Sequence, residues 1–104
     1  MEKVERDGKV AVLYSPGYGA GWSTWAADDQ KEAMCMDARI VAPFLAKGAP
    51  AAMEAAKKLF PGVYLGGGKA LEVEWVEKGT AFYIREYDGS ESVILMTDRD
   101  VFMA

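Results

Sequence analysis

Histidine is absent from this 104-residue sequence, and cysteine occurs once, at Cys35. The absence of histidine removes the commonest general base, the usual zinc ligand, and the Ser-His-Asp and Cys-His catalytic arrangements. A single cysteine excludes an intrachain disulfide. Because no histidine can activate it, we expect Cys35 to be a structural thiol packed with Met34 and Met36. Any catalysis must therefore depend on carboxylates, tyrosine or lysine.

Long hydrophobic runs are also missing. The apolar stretches Val10–Tyr14 and Val93–Met96 are far shorter than the roughly 20 residues that a membrane-spanning helix needs. The charged opening, residues 1–7, has no apolar segment of the kind found in a secretory signal. These features predict a protein without membrane association, located in the cytoplasm.

The sequence also has no excess of basic residues. Twelve lysines and arginines stand against 16 acidic residues, which gives a formal charge of −4. This sign is opposite to that of a protein that binds the phosphate backbone, so we expect no duplex nucleic acid as partner. A small anionic ligand held by backbone amides, or a basic protein surface, remains compatible with the charge.

The composition is otherwise that of a folded protein. Hydrophobic residues make up 51% of the sequence and aromatic residues 12%, well outside the range of disordered chains. The length predicts a single domain over residues 1–104. Three tryptophans, five tyrosines and six methionines are a large apolar supply for so short a chain, and they predict a homo-oligomer.

The first half of the chain is predicted to contain one strand and two helices. Lys9–Tyr14 follows an Asp7–Gly8 turn, and its nearly continuous apolar run indicates a central strand buried on both sides. Asp37 is a good N-cap for a helix over Ala38–Lys47, which Gly48 ends and Pro43 is expected to kink. A second helix starts at Pro50 and runs to about Phe60. Residues 26–36 have no clear period and are expected to be a short helix or irregular.

The second half is predicted to be β-structure. Val63–Leu65 is a candidate edge strand, and residues 71–75, 81–87 and 91–96 indicate a three-stranded meander whose last turn is Asp88–Gly89. The order β-α-α-β-β-β predicts the α+β class, with an antiparallel sheet and two helices packed on one face. The other face is expected to carry five side chains at period-two positions: Glu72, Glu74, Tyr83, Arg85 and Tyr87.

A glycine-rich segment follows the first strand. Ser15 to Gly21 reads Ser-Pro-Gly-Tyr-Gly-Ala-Gly, and its alternating glycines favour positive φ angles and a close backbone approach. Such a loop can turn several N–H groups toward an anion, although the spacing matches neither a dinucleotide-binding motif nor a Walker loop. The alternative is a tight structural loop that lets Trp22 and Trp25 fold back onto the core.

Two acidic segments are further candidates. Glu86 to Ser92 places three carboxylates and two serine hydroxyls around a hairpin turn, which suits either a cation or ribose site or a plain solvated turn. Glu72 and Glu74 share a strand face, as acid and base catalysts would, but a solvated face with Arg85 as cross-strand partner is the favoured interpretation. We therefore expect no enzyme activity and no cofactor.

The motifs Ser-Pro-Gly-Tyr-Gly-Ala-Gly-Trp-Ser-Thr-Trp and Glu-Tyr-Asp-Gly-Ser-Glu-Ser, with residues 61–71, resemble those of a family of small proteins encoded by phages and prophages. The resemblance covers most of the chain and supplies no activity, cofactor or catalytic residue. It implies a protein that acts by binding in the host cytoplasm. Such proteins either sequester a nucleotide signal of host immunity or block a host protein such as a CRISPR effector.

The residues predict a non-enzymatic binder of a small ligand, with a nucleotide as candidate, and the resemblance implies a role against host defence. The alternative is a phage-encoded inhibitor that contacts a host protein through acidic and aromatic side chains. The loop amides are expected to meet the anionic part of the ligand, and Trp22 or Trp25 to stack on it. The predicted ligand-binding residues are Gly17, Tyr18, Gly19, Gly21, Trp22, Thr24, Trp25, Arg85, Tyr87 and Asp88.

Overall fold

The structure, a computed structural model, describes residues 1–96. The strands are β1 (Glu5–Arg6), β2 (Lys9–Tyr14), β3 (Glu72–Glu77), β4 (Phe82–Tyr87) and β5 (Ser90–Leu95), and the helices are α1 (Lys31–Met36), α2 (Ala38–Lys47) and α3 (Ala49–Leu59). Short 3-10 helices lie at Ser23–Trp25, Asp28–Gln30 and Gly68–Ala70. All strand pairings are antiparallel, so the predicted α+β class is confirmed. No helix among these residues is both long enough and apolar enough to cross a membrane.

Strand β2 is the centre of the larger sheet, whose order is β1-β2-β3. Val10 and Val12 are buried on one face of β2, and Ala11 and Leu13 are buried on the other. This two-sided burial confirms the central position that the apolar run predicted. The short strand β1 was not predicted, since its residues are charged and exposed.

Capping residues determine where α2 begins and ends. The Asp37 carboxylate accepts a hydrogen bond from the Arg39 amide at 2.9 Å and starts α2 at the predicted residue. Gly48, with a φ of +87°, ends α2, and α3 follows at once. The buried alanines Ala52 and Ala56 let α3 lie close to its neighbours, so the two helices form the predicted hairpin.

The C-terminal strands do not form the predicted meander. β3 pairs with β2 over its whole length, whereas β4 and β5 form a separate two-stranded sheet. In the β2–β3 register Trp75 lies beside Ala11 and Val76 lies beside Val10, so β3 adds apolar side chains to both sides of the sheet. If β3 paired with β4 instead, the edge of β2 that β3 now covers would have no neighbouring strand. The predicted edge strand at residues 63–65 is absent from the structure, which has a loop there.

The result is a three-layer arrangement. The α2–α3 hairpin covers the face of the larger sheet that contains Ala11 and Leu13, and the β4–β5 hairpin covers the face that contains Val10 and Val12. Helix α1 contributes to both clusters, since Met34 belongs to the first and Cys35 and Met36 belong to the second. β3 and β4 therefore belong to different sheets, and the predicted cross-strand contact of Arg85 with Glu72 or Glu74 is wrong. Arg85 lies opposite Ser92 instead.

Candidate functional site

The glycine loop, residues 15–24, lies against the tip of the β4–β5 hairpin, residues 86–91. The Glu91 amide donates to the Ser15 carbonyl at 2.8 Å, and the Gly19 amide donates to the Asp88 carbonyl at 2.7 Å. The Ser90 hydroxyl adds a bond to the Pro16 carbonyl at 2.7 Å. The structure thus brings the two predicted halves of the site together, since Tyr18 and Gly19 on the loop meet Tyr87 and Asp88 on the hairpin.

A buried carboxylate fastens this contact. Glu91 is 1% exposed, and its Oε1 accepts a hydrogen bond from the Ser15 amide at 2.8 Å. Its Oε2 accepts from the Trp22 amide at 2.8 Å, the Thr24 amide at 3.0 Å and the Thr24 hydroxyl at 2.6 Å. Four donors converge on one anionic group, as they do in backbone nests that bind phosphate.

Glu91 is therefore an anionic partner that the chain itself supplies to amides on either side of the glycines. The amides predicted to meet an anionic ligand were those around Gly17, Gly19 and Gly21, and of these the Gly19 amide donates to the Asp88 carbonyl. The amides of Ser15, Trp22 and Thr24 already have a carboxylate partner from the chain itself. Sequence reasoning placed Glu91 on a solvated turn and missed this role. One signal could have revealed this role: Glu91 lies on the inward-facing side of β5. A charged residue buried there needs several hydrogen bonds.

The loop glycines serve different purposes. Of Gly17, Gly19 and Gly21, only Gly19 has a positive φ, at +95°. A Cβ on Gly17 would lie 2.9 Å from the Cβ of Ala70, and one on Gly21 would lie 2.6 Å from the Trp25 ring, so both positions are closed by packing. Gly89 on the hairpin is equally constrained, because a Cβ there would overlap the Ala20 backbone.

The two tryptophans occupy separate environments. Trp22 is fully buried and its indole N–H donates to the Met34 carbonyl at 2.7 Å, so its ring faces are covered by protein. Trp25 is 40% exposed and packs on Tyr64 with ring centroids 5.2 Å apart. The Trp25 and Tyr64 rings line a cleft of about 340 Å³ within residues 25–30 and 61–64. No residue of the β4–β5 hairpin lines this cleft. Thr24 is engaged with Glu91.

An exposed aromatic surface borders the loop and the hairpin. Tyr18 and Tyr87 are each 76% exposed, and Tyr83 is 47% exposed. Tyr83, Arg85 and Tyr87 alternate along β4 on its solvent side, as their period-two spacing predicted. We call Tyr18, Tyr83, Arg85 and Tyr87 the hairpin surface. Arg85 takes part in none of the ion pairs formed within residues 1–96.

The reactive groups near the site offer little chemistry. Burial, followed by the nearby Glu32 carboxylate, raises the pKa of the Cys35 thiol to about 12, so the thiol is protonated at neutral pH. The acidic residues of the hairpin diverge, since Glu91 points inward and the Glu86 carboxylate accepts the Gly89 amide at 2.7 Å. In the part of the chain that the structure describes, no three potential ligands gather in a way that could hold a metal ion.

The candidate site is thus an open surface of three tyrosines and one arginine, fixed in place by an internal carboxylate. An open aromatic surface can contact a partner over a wide area. No protein-family model, curated protein or solved structure matches this chain.

Proposed function

We propose that this protein acts by binding another protein through the hairpin surface. The observation that carries the proposal is the pair Tyr18 and Tyr87, each 76% exposed, on two segments that a 2.7 Å hydrogen bond joins at the neighbouring residues Gly19 and Asp88. Large aromatic side chains this accessible have no packing role in the chain itself. Tyrosine and arginine are the residue types that supply much of the binding energy at protein interfaces.

The underlying loop supports binding without rearrangement. Four hydrogen bonds to Glu91 and the packing of Gly17 and Gly21 fix the backbone that presents Tyr18. A side chain on a fixed backbone loses less conformational entropy when a partner binds. Glu91 occupies the amides of Ser15, Trp22 and Thr24, and the Asp88 carbonyl occupies that of Gly19, which favours a protein partner over an anionic ligand at this loop.

Charge defines the partner's chemistry. Glu86 and Asp88 are exposed near the tip of the hairpin, and the whole chain has a formal charge of −4. The complementary surface is basic at its rim, with an acidic group placed to meet Arg85. The resemblance to phage-encoded proteins makes a host protein, such as a CRISPR effector, the candidate partner.

The test is photocrosslinking from defined positions. A photoreactive phenylalanine analogue is placed at Tyr18 or Tyr87, and at Tyr64 as the control, since Tyr64 is also exposed, at 44%, but lies in the other cleft. We expect one stoichiometric partner crosslinked from positions 18 and 87. Binding of the purified partner should weaken at least tenfold in Tyr87→Ala and Arg85→Ala and stay unchanged in Tyr64→Ala. Equal loss in all three variants, or no loss in any, would refute the proposal.

A second candidate function keeps the small ligand and moves it to the Trp25–Tyr64 cleft. The favourable observation is the cleft's volume of about 340 Å³ and its two aromatic rings, which suit a planar ring such as a nucleobase. A ligand present at 100 times its Kd should stabilise the protein by about 2.7 kcal/mol. Thermal shift with a nucleotide panel should then show stabilisation that Tyr64→Ala abolishes, and no shift with any nucleotide would exclude this function.

A further inference from the structure

A groove lies on the surface of α3, in the layer of the molecule that the β4–β5 hairpin does not reach. One wall is the stretch of α3 from Ala49 to Lys57, roughly 12 Å of helix, and the other wall is the loop that contains Leu65 and Lys69. We call it the α3 groove. Its volume is about 570 Å³, larger than the 340 Å³ of the Trp25–Tyr64 cleft. Sites for small organic ligands have volumes in this range.

The lining of the α3 groove is apolar along most of its length, at Ala49, Pro50, Met53 and Leu65. Met53 and Leu65 also pack against the hydrophobic core, so the lining is continuous with the core. A glycine permits the close approach of the loop to the helix, because a Cβ on Gly68 would lie 2.6 Å from the Cγ and Sδ atoms of Met53. Met53 thus lies against Gly68 and still lines the groove, where its unbranched side chain can adapt to an apolar ligand.

The charged side chains of the α3 groove are mainly basic. Lys57 on the helix and Lys69 on the loop line it from opposite walls, and Glu54 is the acidic residue beside them. All three are exposed, and neither lysine takes part in the ion pairs formed within residues 1–96. This local charge is opposite in sign to the formal charge of −4 of the whole chain. An apolar wall with two lysines at its rim complements a molecule that has an apolar body and one anionic end.

We propose that the α3 groove binds a free carboxylate with an unbranched apolar chain, a molecule of the medium-chain fatty acid class. The chain lies along the wall beside Met53 and Leu65, and the carboxylate meets Lys57 and Lys69. A nucleobase is a poorer match, because none of the described residues that line the groove is aromatic. A protein is also a poorer match, because a specific interface takes about 800 Å² from each partner, more than a groove of this length supplies.

The main experiment is calorimetric titration of the whole chain with decanoate. Decylammonium is the control ligand, since it has the same apolar chain and the opposite charge. We expect decanoate to bind with an affinity that falls as salt is added, and decylammonium to bind about tenfold more weakly. Vesicles that contain phosphatidylglycerol distinguish a membrane surface from a free carboxylate, and we expect no binding to them. Vesicle binding, absence of decanoate binding or equal binding of the two ligands would overturn the proposal.

Charge variants locate the carboxylate. Lys57→Glu and Lys69→Glu should each weaken decanoate binding by about tenfold, and Glu54→Gln should tighten it because a like charge is removed. The matched control is Lys58→Glu, since Lys58 is exposed next to Lys57 on the same helix but does not line the groove. Equal losses in Lys57→Glu and Lys58→Glu would show that only the overall charge matters, and would overturn the site.

Methyl NMR shows where the apolar chain lies. With the methionine methyl groups labelled, decanoate should shift the signal of Met53 and leave the signal of the fully buried Met34 in place. Saturable binding that leaves the Met53 signal unchanged would overturn the proposal. Its failure is distinguishable from failure of the proposed function, because the α3 groove shares no residue with the hairpin surface. Lys57→Glu should therefore still crosslink a protein partner from Tyr87.

Discussion

Replacing Glu91 with glutamine changes one atom of the side chain and tests whether the buried carboxylate holds the glycine loop. Glutamine keeps one acceptor oxygen, which can serve the Trp22 and Thr24 donors, but its NH2 group then faces the Ser15 amide. One buried donor loses its partner, at about 1–3 kcal/mol, and the remaining bonds lose their charge assistance. We expect Glu91→Gln to lower the free energy of unfolding by about 2–4 kcal/mol in total.

A loss of this size is a large part of the 5–15 kcal/mol typical of such domains, and it corresponds to a fall in Tm of about 10–30 °C. Urea denaturation followed by tryptophan fluorescence measures the loss in the free energy of unfolding. The matched control is Glu86→Gln, because Glu86 lies directly opposite Glu91 on the hairpin, is exposed and accepts one hydrogen bond. We expect this control to cost less than about 1 kcal/mol. Coinciding transitions for the two variants would show that the carboxylate does not hold the loop.

Three further predictions concern other residues. Gly89→Ala should destabilise the protein more than Gly19→Asn. A Cβ at Gly89 meets the Ala20 backbone, whereas Gly19 has open space around it and asparagine tolerates its positive φ. Thermal melts of the two variants test this order, and a lower Tm for Gly19→Asn would contradict it. The Arg39 guanidinium, through its hydrogen bonds, holds the pKa of Asp37 below its usual value of 3.8. The ionised Asp37 carboxylate therefore stabilises the fold above pH 3.8, and this contribution is lost as the pH falls through the lowered pKa. Acid titration of Asp37→Asn should show a smaller loss in this range, and an unchanged acid transition would count against the N-cap role. Burial raises the pKa of Cys35 to about 12, so a thiol reagent at pH 8 should react far more slowly with native than with urea-unfolded protein, and equal rates would refute the burial.

Local signals in the sequence were sufficient for much of the fold. The caps Asp37 and Gly48 gave the bounds of α2, because capping depends on side-chain oxygens and φ angles close in sequence. Both Asp-Gly turns were predicted correctly, since each has two consecutive positive φ angles, at Asp7–Gly8 and Asp88–Gly89.

Strand partners and the Glu91 site could not be predicted in this way. The alternation in β3 shows which side chains share a face, but it does not show which strand lies beside them, so β3 was paired with β4 rather than with β2. The partners of Glu91 lie 67 to 76 residues away, and no local pattern reports such a contact. Tyr18, Arg85 and Tyr87 were predicted as site residues and are exposed, whereas Trp22, which was predicted to stack on a ligand, is fully buried.

The Glu91 contact also determines when the hairpin surface can form during synthesis. Ser15, Trp22 and Thr24 leave the ribosome long before Glu91 is made, and until then their amides have only water as partner. Contacts between such distant segments are slow to form because the intervening chain must first be closed into a loop. We therefore expect the helical hairpin, whose contacts are local, to fold early and the glycine loop to become ordered last. A ribosome-bound chain that stops before β5 should keep its helices while its loop stays open to proteases, so the hairpin surface should form only in a chain that includes β5.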